Sequence, residues 1–206
     1  HHMSTIEGGM ICTNDYEVYQ NLKMLRGHGM LRESDDKKIH NKFFEQNPEL
    51  NKDFIFVYNG YNLRNTEIGA LLGLSQLKKL DHNIYMRNIN FNTFLSKIDS
   101  QKYKTDFVIE GCSNYALNVI LNIKDDLLLD KLMEAFNYNG VEFRRGSAGG
   151  GNQLRQPYLE GFIPKNHHKK FPNTEHVHFY GFYIGNFPNL TSKEVEEICL
   201  IINNAS

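Results

Sequence analysis

The sequence has almost no net charge, no long apolar run and few cysteines. Its 23 basic and 24 acidic side chains leave a formal charge of −1 with histidines neutral. A chain so balanced lacks the cationic field with which proteins grip nucleic acid. No stretch offers the roughly 20 consecutive apolar residues that a bilayer-spanning helix requires, and no basic-then-apolar leader is visible. Neither nucleic acid nor a membrane is therefore an expected partner, and the expected compartment is the cytoplasm. Three cysteines, Cys12, Cys112 and Cys199, are odd in number and far apart, which suits neither a disulfide framework nor a metal knuckle. The nine histidines include His167-His168 and His176-Val177-His178. Without a matching Cys or carboxylate spacing these pairs read as surface or pocket residues, and no metal is expected.

Length bounds the architecture, since 206 residues hold one large domain or two small ones. Residues 10–13 follow the Gly8-Gly9 turn with an apolar, β-branched run that predicts a strand. Asn14 and Glu17 stand in the spacing of a helix start, and Val18, Leu22 and Leu25 share a face until Gly27 and Gly29 stop the helix. From residue 31 to 57 the chain is polar and without clear period. Inside a compact protein this predicts a functional loop, here one closing over an active site and giving Phe54 and Phe56 something to pack against. Thr66 predicts the cap of a long helix in which Ile68, Leu71, Leu72, Leu77 and Leu80 keep helical spacing. Gly69 and Gly73 would let a second helix approach it. The pattern resumes at Ile84, Phe94 and Ile98, so this helix is expected to carry the chain between two domains, with the boundary near residue 85. Strands are predicted at 107–109, 116–123 and 141–145, with Leu117, Val119, Leu121 and Ile123 on one face of the second. Helices are predicted at 126–138 and from the Thr191 cap onward, the last burying Val195, Ile198 and Ile202.

The first nine residues, His1-His2-Met3-Ser4-Thr5-Ile6-Glu7-Gly8-Gly9, carry the chemistry. This stretch resembles the pyridoxal-phosphate (PLP) sugar aminotransferases of fold type I, in which a lysine six residues before the Glu of an EGG turn holds the cofactor through a C=N link. Here the slot is His1, and a histidine there resembles the small branch of PLP-dependent sugar 3-dehydratases. An imidazole cannot form that stable link. Imidazoles titrate near pH ~6.5, so near neutrality they take a proton and give it back with little driving force lost. The resemblance implies His1 as the catalytic base and acid, and a cofactor held unlinked as PLP and worked as pyridoxamine 5′-phosphate. It further implies L-glutamate as amino donor and a nucleotide-linked 4-keto-6-deoxy sugar, GDP-4-keto-6-deoxymannose, as substrate. The sugar would lose its 3-hydroxyl, and ammonia would be released.

A second stretch, Gly60-Tyr61-Asn62-Leu63-Arg64-Asn65-Thr66-Glu67, is similar to the family's GYN-x-R-x-TE fingerprint. The resemblance implies that Asn62 reaches across a homodimer to the phosphate of the partner's cofactor. An amide donates there without adding a titrating charge. The run from Arg144 through Gly151 to Gln153 resembles a glycine-rich segment beside the same enzymes' active site. On this resemblance Arg32, Phe54, Glu142, Arg145, Asn152 and His178 are the expected substrate-binding residues. One related group of dehydratases carries an iron–sulfur cluster, which usually needs four thiolates; three scattered cysteines point away from one.

The expected fold class is α/β, the C-terminal half of a fold type I PLP-dependent enzyme. Residues 1–85 would be the C-terminal part of its large cofactor-binding domain, and residues 86–206 a complete small α+β domain. Other readings stay open on sequence alone. A His-His-Met start is also the remnant of a purification tag; Arg32 suits a solvated surface and Asn62 a plain turn. Glu142 suits an outward strand position, and the glycine run a flexible turn. The rival functions are a conventional sugar aminotransferase whose lysine lies upstream, and a non-catalytic fragment that dimerises or binds a ligand without turnover.

Overall fold

The computed structural model describes residues 1–146 and 151–205. The part of the glycine-rich expectation that falls on 147–150 lies outside them. The chain forms two compact units, residues 3–76 and residues 77–206 together with His1 and His2.

In the unit of residues 3–76, helix α1 (Tyr16–Arg26) begins one residue later than Asn14 predicts, because the Asp15 carboxylate accepts from the Val18 N–H at 3.0 Å. Its buried residues are Gln20 and Met24, while Val18 is exposed. The face is set by Gln20, whose side-chain oxygen accepts from the Ser34 hydroxyl at 2.8 Å and from the Asp35 N–H at 3.0 Å. The expected irregular loop of residues 31–57 holds a helix, α2 (Lys37–Gln46), capped by Asp36. Ile39, Phe43 and Phe44 pack from it onto a small core of Met24, Leu31 and Ile55. Charged neighbours dilute that apolar stripe in the sequence, and this hides its helical period. Phe54 and Phe56 do not pack as expected: they are exposed, and Ile55 between them is buried. Gly29 adopts φ +76°, and a Cβ on Gly60 would stand 2.0 Å from the Gly29 nitrogen, so two backbones cross there in contact that only glycine permits.

Residues 10–13 form no strand, and Met10 and Ile11 face solvent. A strand exists only as a pairing, and none of the described residues pairs with this stretch. Helix α3 (Glu67–Lys97) runs 31 residues, as the spacing predicts. Ile68, Leu71 and Leu74 on it are exposed. Gly69 and Gly73 lie against Thr5 rather than against a second helix.

The second unit is an α+β sandwich. Three antiparallel strands, β1 (Ala116–Ile120), β2 (Phe143–Arg145) and β3 (Gly181–Gly185), lie in the order β1-β3-β2. Leu117 and Val119 of β1 and Phe182 and Ile184 of β3 point into one core. Phe91 and Phe94 of α3, Leu132 and Phe136 of α4 (Asp126–Tyr138), and Val195 and Ile202 of α6 (Ser192–Asn204) close over them. Helix α4 has the predicted bounds, and Thr191 and Glu194 form the predicted capping box of α6. Strand β1 stops short of residue 123: Leu121 is buried, but Ile123 is 69% exposed. Residues 107–109 are not a strand either, and the Val108 and Ile109 side chains face water.

The central strand β3 follows helix α5 (Pro172–Tyr180) with no loop between them. Gly181 makes the junction possible, since a Cβ there would meet the Val177 carbonyl oxygen at 2.6 Å. Among the described residues no helix is long and apolar enough to cross a membrane.

Phe136 is fully buried, so Phe136→Ala is expected to remove about 3–5 kcal/mol of stability. This reads as a lower urea midpoint at unchanged slope. Thr191→Ala, which opens the capping box, is expected to cost ~1 kcal/mol by the same measurement.

Candidate active site

Arg87, Asn90, Phe91 and Phe94 fall on one face of α3 at helical spacing. Two of these four core-facing residues are polar, and burial obliges such groups to find partners. The Arg87 guanidinium donates through one terminal nitrogen to the Asn186 carbonyl and through the other to the His1 carbonyl at 2.9 Å. The Asn186 amide donates to the carbonyls of Arg87 at 3.0 Å and Asn114 at 2.9 Å, and its oxygen accepts from Asn90 at 3.1 Å. The Asn186 N–H donates to the Tyr115 carbonyl at 2.9 Å. Arg87 Nε and Asn90 Oδ1 are buried without a partner. Burial lowers the pKa of the Arg87 guanidinium from its ordinary value.

This network sets out the chemistry-bearing groups at one end of the sheet. The His1 ring lies on the Tyr115 ring, with centroids 4.0 Å apart and planes 17° from parallel. Tyr115 meets Tyr183 edge-on at 5.7 Å. Burial and then the nearby Tyr183 raise the pKa of the Tyr115 phenol. Tyr183 stands opposite Asn118 and Arg144 in the strand register, on the sheet face turned away from the core. The His2 ring is within 2.7 Å of the Ser113 hydroxyl. Its pKa is lowered by desolvation first and by the Arg87 charge second, which favours the neutral imidazole. The ring nitrogens of His1 make no hydrogen bond among the described residues, and the residue is exposed.

The other expected residues divide into groups. Asn152 is buried, and its amide donates to the His168 carbonyl at 3.2 Å and to Glu175 at 2.9 Å. Its N–H donates to His178 Nδ1 at 3.1 Å. Glu175 also takes an ion pair from Arg155, which with the Asn152 bond depresses its carboxyl to about 2. Burial, helped by the Arg155 charge, lowers the His178 pKa. Asn152 and His178 thus meet, with both side chains engaged inside the protein. Arg145 donates to the Phe179 carbonyl at 2.7 Å and lines a groove of about 540 Å³ with Glu175 and His176. Glu142, one residue before β2, turns outward, 84% exposed and 3.5 Å from Arg144. Arg32 lies over the Phe54 ring at 5.1 Å, joining two expected residues on the other unit's surface. Asn62 pairs through its backbone with Gly27, and its exposed side chain has no partner among the described residues. No group of three His, Cys, Asp or Glu among the described residues could hold a metal.

Sequence reasoning missed Arg87, Asn90, Asn186, Tyr115 and Tyr183. Polar residues on the core-facing stripe of α3 were the available signal for the first two. The residues present suit a cofactor held without a covalent link. The slot offers an imidazole, which cannot make the link, and the unpaired Asn62 amide can donate to a phosphate.

The chain is similar to several known proteins. The chain is 31% identical over 187 residues to GDP-4-keto-6-deoxy-D-mannose 3-dehydratase of Escherichia coli O55:H7, covering 90% of this chain and 47% of that protein. It is 39% identical over 142 residues to UDP-4-amino-4,6-dideoxy-N-acetyl-beta-L-altrosamine transaminase of Helicobacter pylori, covering 68% of this chain and 34% of that one. Solved structures of GDP-4-keto-6-deoxymannose-3-dehydratase share the fold. One with a trapped PLP-glutamate geminal diamine has TM-score 0.77 at 27% identity, over 98% of this chain and 52% of that one. Another, a histidine-to-asparagine variant with bound GDP-perosamine, has TM-score 0.76. The chain spans about half the length of the curated relatives it matches. With residues 1–203 matching it, the chain belongs to the DegT/DnrJ/EryC1/StrS aminotransferase family.

Proposed function

We propose that the full-length protein is a PLP-dependent 3-dehydratase. It removes the C3 hydroxyl of a nucleotide-linked 4-keto-6-deoxy sugar, GDP-4-keto-6-deoxymannose, with L-glutamate as amino donor and ammonia as a product. The observation that carries this reading is the His1 imidazole in the lysine slot, seated on Tyr115 with free ring nitrogens.

When bound, pyridoxamine phosphate supplies an amine for the sugar ketone and a sink for electrons. His1 takes a proton as base and returns it as acid to the departing 3-hydroxyl, which leaves as water. One imidazole serves both steps because it holds a proton reversibly near neutral pH. Asn62 would hold the cofactor phosphate by donating its amide across a homodimer. The exposed apolar residues Ile68, Leu71 and Leu74 support an assembly in which further polypeptide covers that helix face. Arg32 with Phe54, and Arg145, Glu142, Asn152 and His178, are the residues we assign to the substrate side. Asn152 and His178 act there by holding their segment in place.

The second reading is a conventional nucleotide-sugar aminotransferase, favoured by the similarity to the Helicobacter transaminase. Borohydride reduction of the full-length PLP form separates the two. The dehydratase gives no covalent adduct by mass spectrometry, whereas His1→Lys gives one and loses about 100-fold or more of its ammonia release. A wild-type adduct on any lysine contradicts the proposal. Asn62→Ala is expected to weaken cofactor retention about tenfold, read from bound-cofactor absorbance at rising dilution.

A further inference from the structure

We propose that Tyr115 is a positioning residue for the reaction: its ring face fixes the plane of the His1 imidazole. The inference rests on the reading of His1 as the proton carrier. The two rings lie 4.0 Å apart and 17° from parallel, so the imidazole can turn within its plane but cannot tilt without losing the contact. Tyr115 is in turn held on edge by Tyr183, 79° between planes, and Tyr183 is fixed by strand pairing on both sides. The backbones of both stacked residues hang from one anchor. Arg87 donates to the His1 carbonyl and to that of Asn186, and the Asn186 N–H donates to the Tyr115 carbonyl. A single base that collects a proton at one atom and delivers it at another gains from a fixed ring plane, since a misplacement of about 1 Å can cost ~100-fold. The imidazole lies on the π face, whereas the phenol interacts with Tyr183 and not with His1, so phenylalanine should substitute and leucine should not. Tyr115 is 40% exposed, and its replacement leaves the core closed.

The test uses full-length protein with labelled histidine, the His1 resonance being identified by its loss in His1→Asn. In the wild type and in Tyr115→Phe the His1 ring protons are expected upfield, displaced by the ring current, and Tyr115→Phe keeps turnover within about two-fold. Tyr115→Leu is expected to lose the displacement and to lower kcat by about 10-fold to 100-fold with KM changed far less. No displacement in the wild type, or a Tyr115→Leu enzyme that turns over like the wild type while His1→Asn is inactive, overturns the proposal. His1→Asn at full turnover overturns the proton-carrier reading and the positioning role with it, and is told apart by a displacement that persists in the wild type.

Discussion

The buried guanidinium of Arg87 is the contact on which the second unit's chemistry depends. A cation withdrawn from water is costly unless its donors are satisfied. Here the two terminal nitrogens donate to the backbone carbonyls of His1 and Asn186, while Nε is buried without a partner. Among the described residues no carboxylate forms an ion pair with Arg87, and its charge biases the neighbouring His2 toward the neutral form. The same guanidinium ties the first residue of the chain to the end of β3, and Asn186 passes that restraint on to Tyr115. A buried polar network in which most groups find a partner selects one arrangement over its neighbours.

The sequence made local structure legible wherever a signal was local. The capping box of α6, the bounds of α4 and the alternation of β1 follow from residues within one or two turns of each other. Strands failed where the partner decides: residues 10–13 and 107–109 have strand composition but pair with no described residue. Strand β3, a short glycine-bounded run over which no element was expected, is the middle of the sheet. Its glycine at 181 signals a tight junction with α5 rather than the absence of structure. Helix α2 was hidden because three partly buried apolar residues among charges are enough to seat a short helix on a small core.

The site was half legible. The histidine slot and the Asn62 fingerprint are contiguous motifs, and family resemblance reads them directly. What seats His1 is not contiguous. Arg87 lies 86 residues from His1 and 99 from Asn186, and such contacts leave no periodic trace in a single sequence. Asn152 illustrates the same limit from the other side. A residue expected to face substrate is buried and spends its amide on His168 and Glu175, holding its loop to α5.

The central claim is that His1 acts as a proton-carrying imidazole where relatives place a tethering amine. It is tested most directly by giving full-length protein L-glutamate and GDP-4-keto-6-deoxymannose and following free ammonia and the sugar product together. The account predicts one ammonia released for each sugar deoxygenated at C3. A stable 4-amino sugar that keeps its 3-hydroxyl, formed without free ammonia, would contradict it.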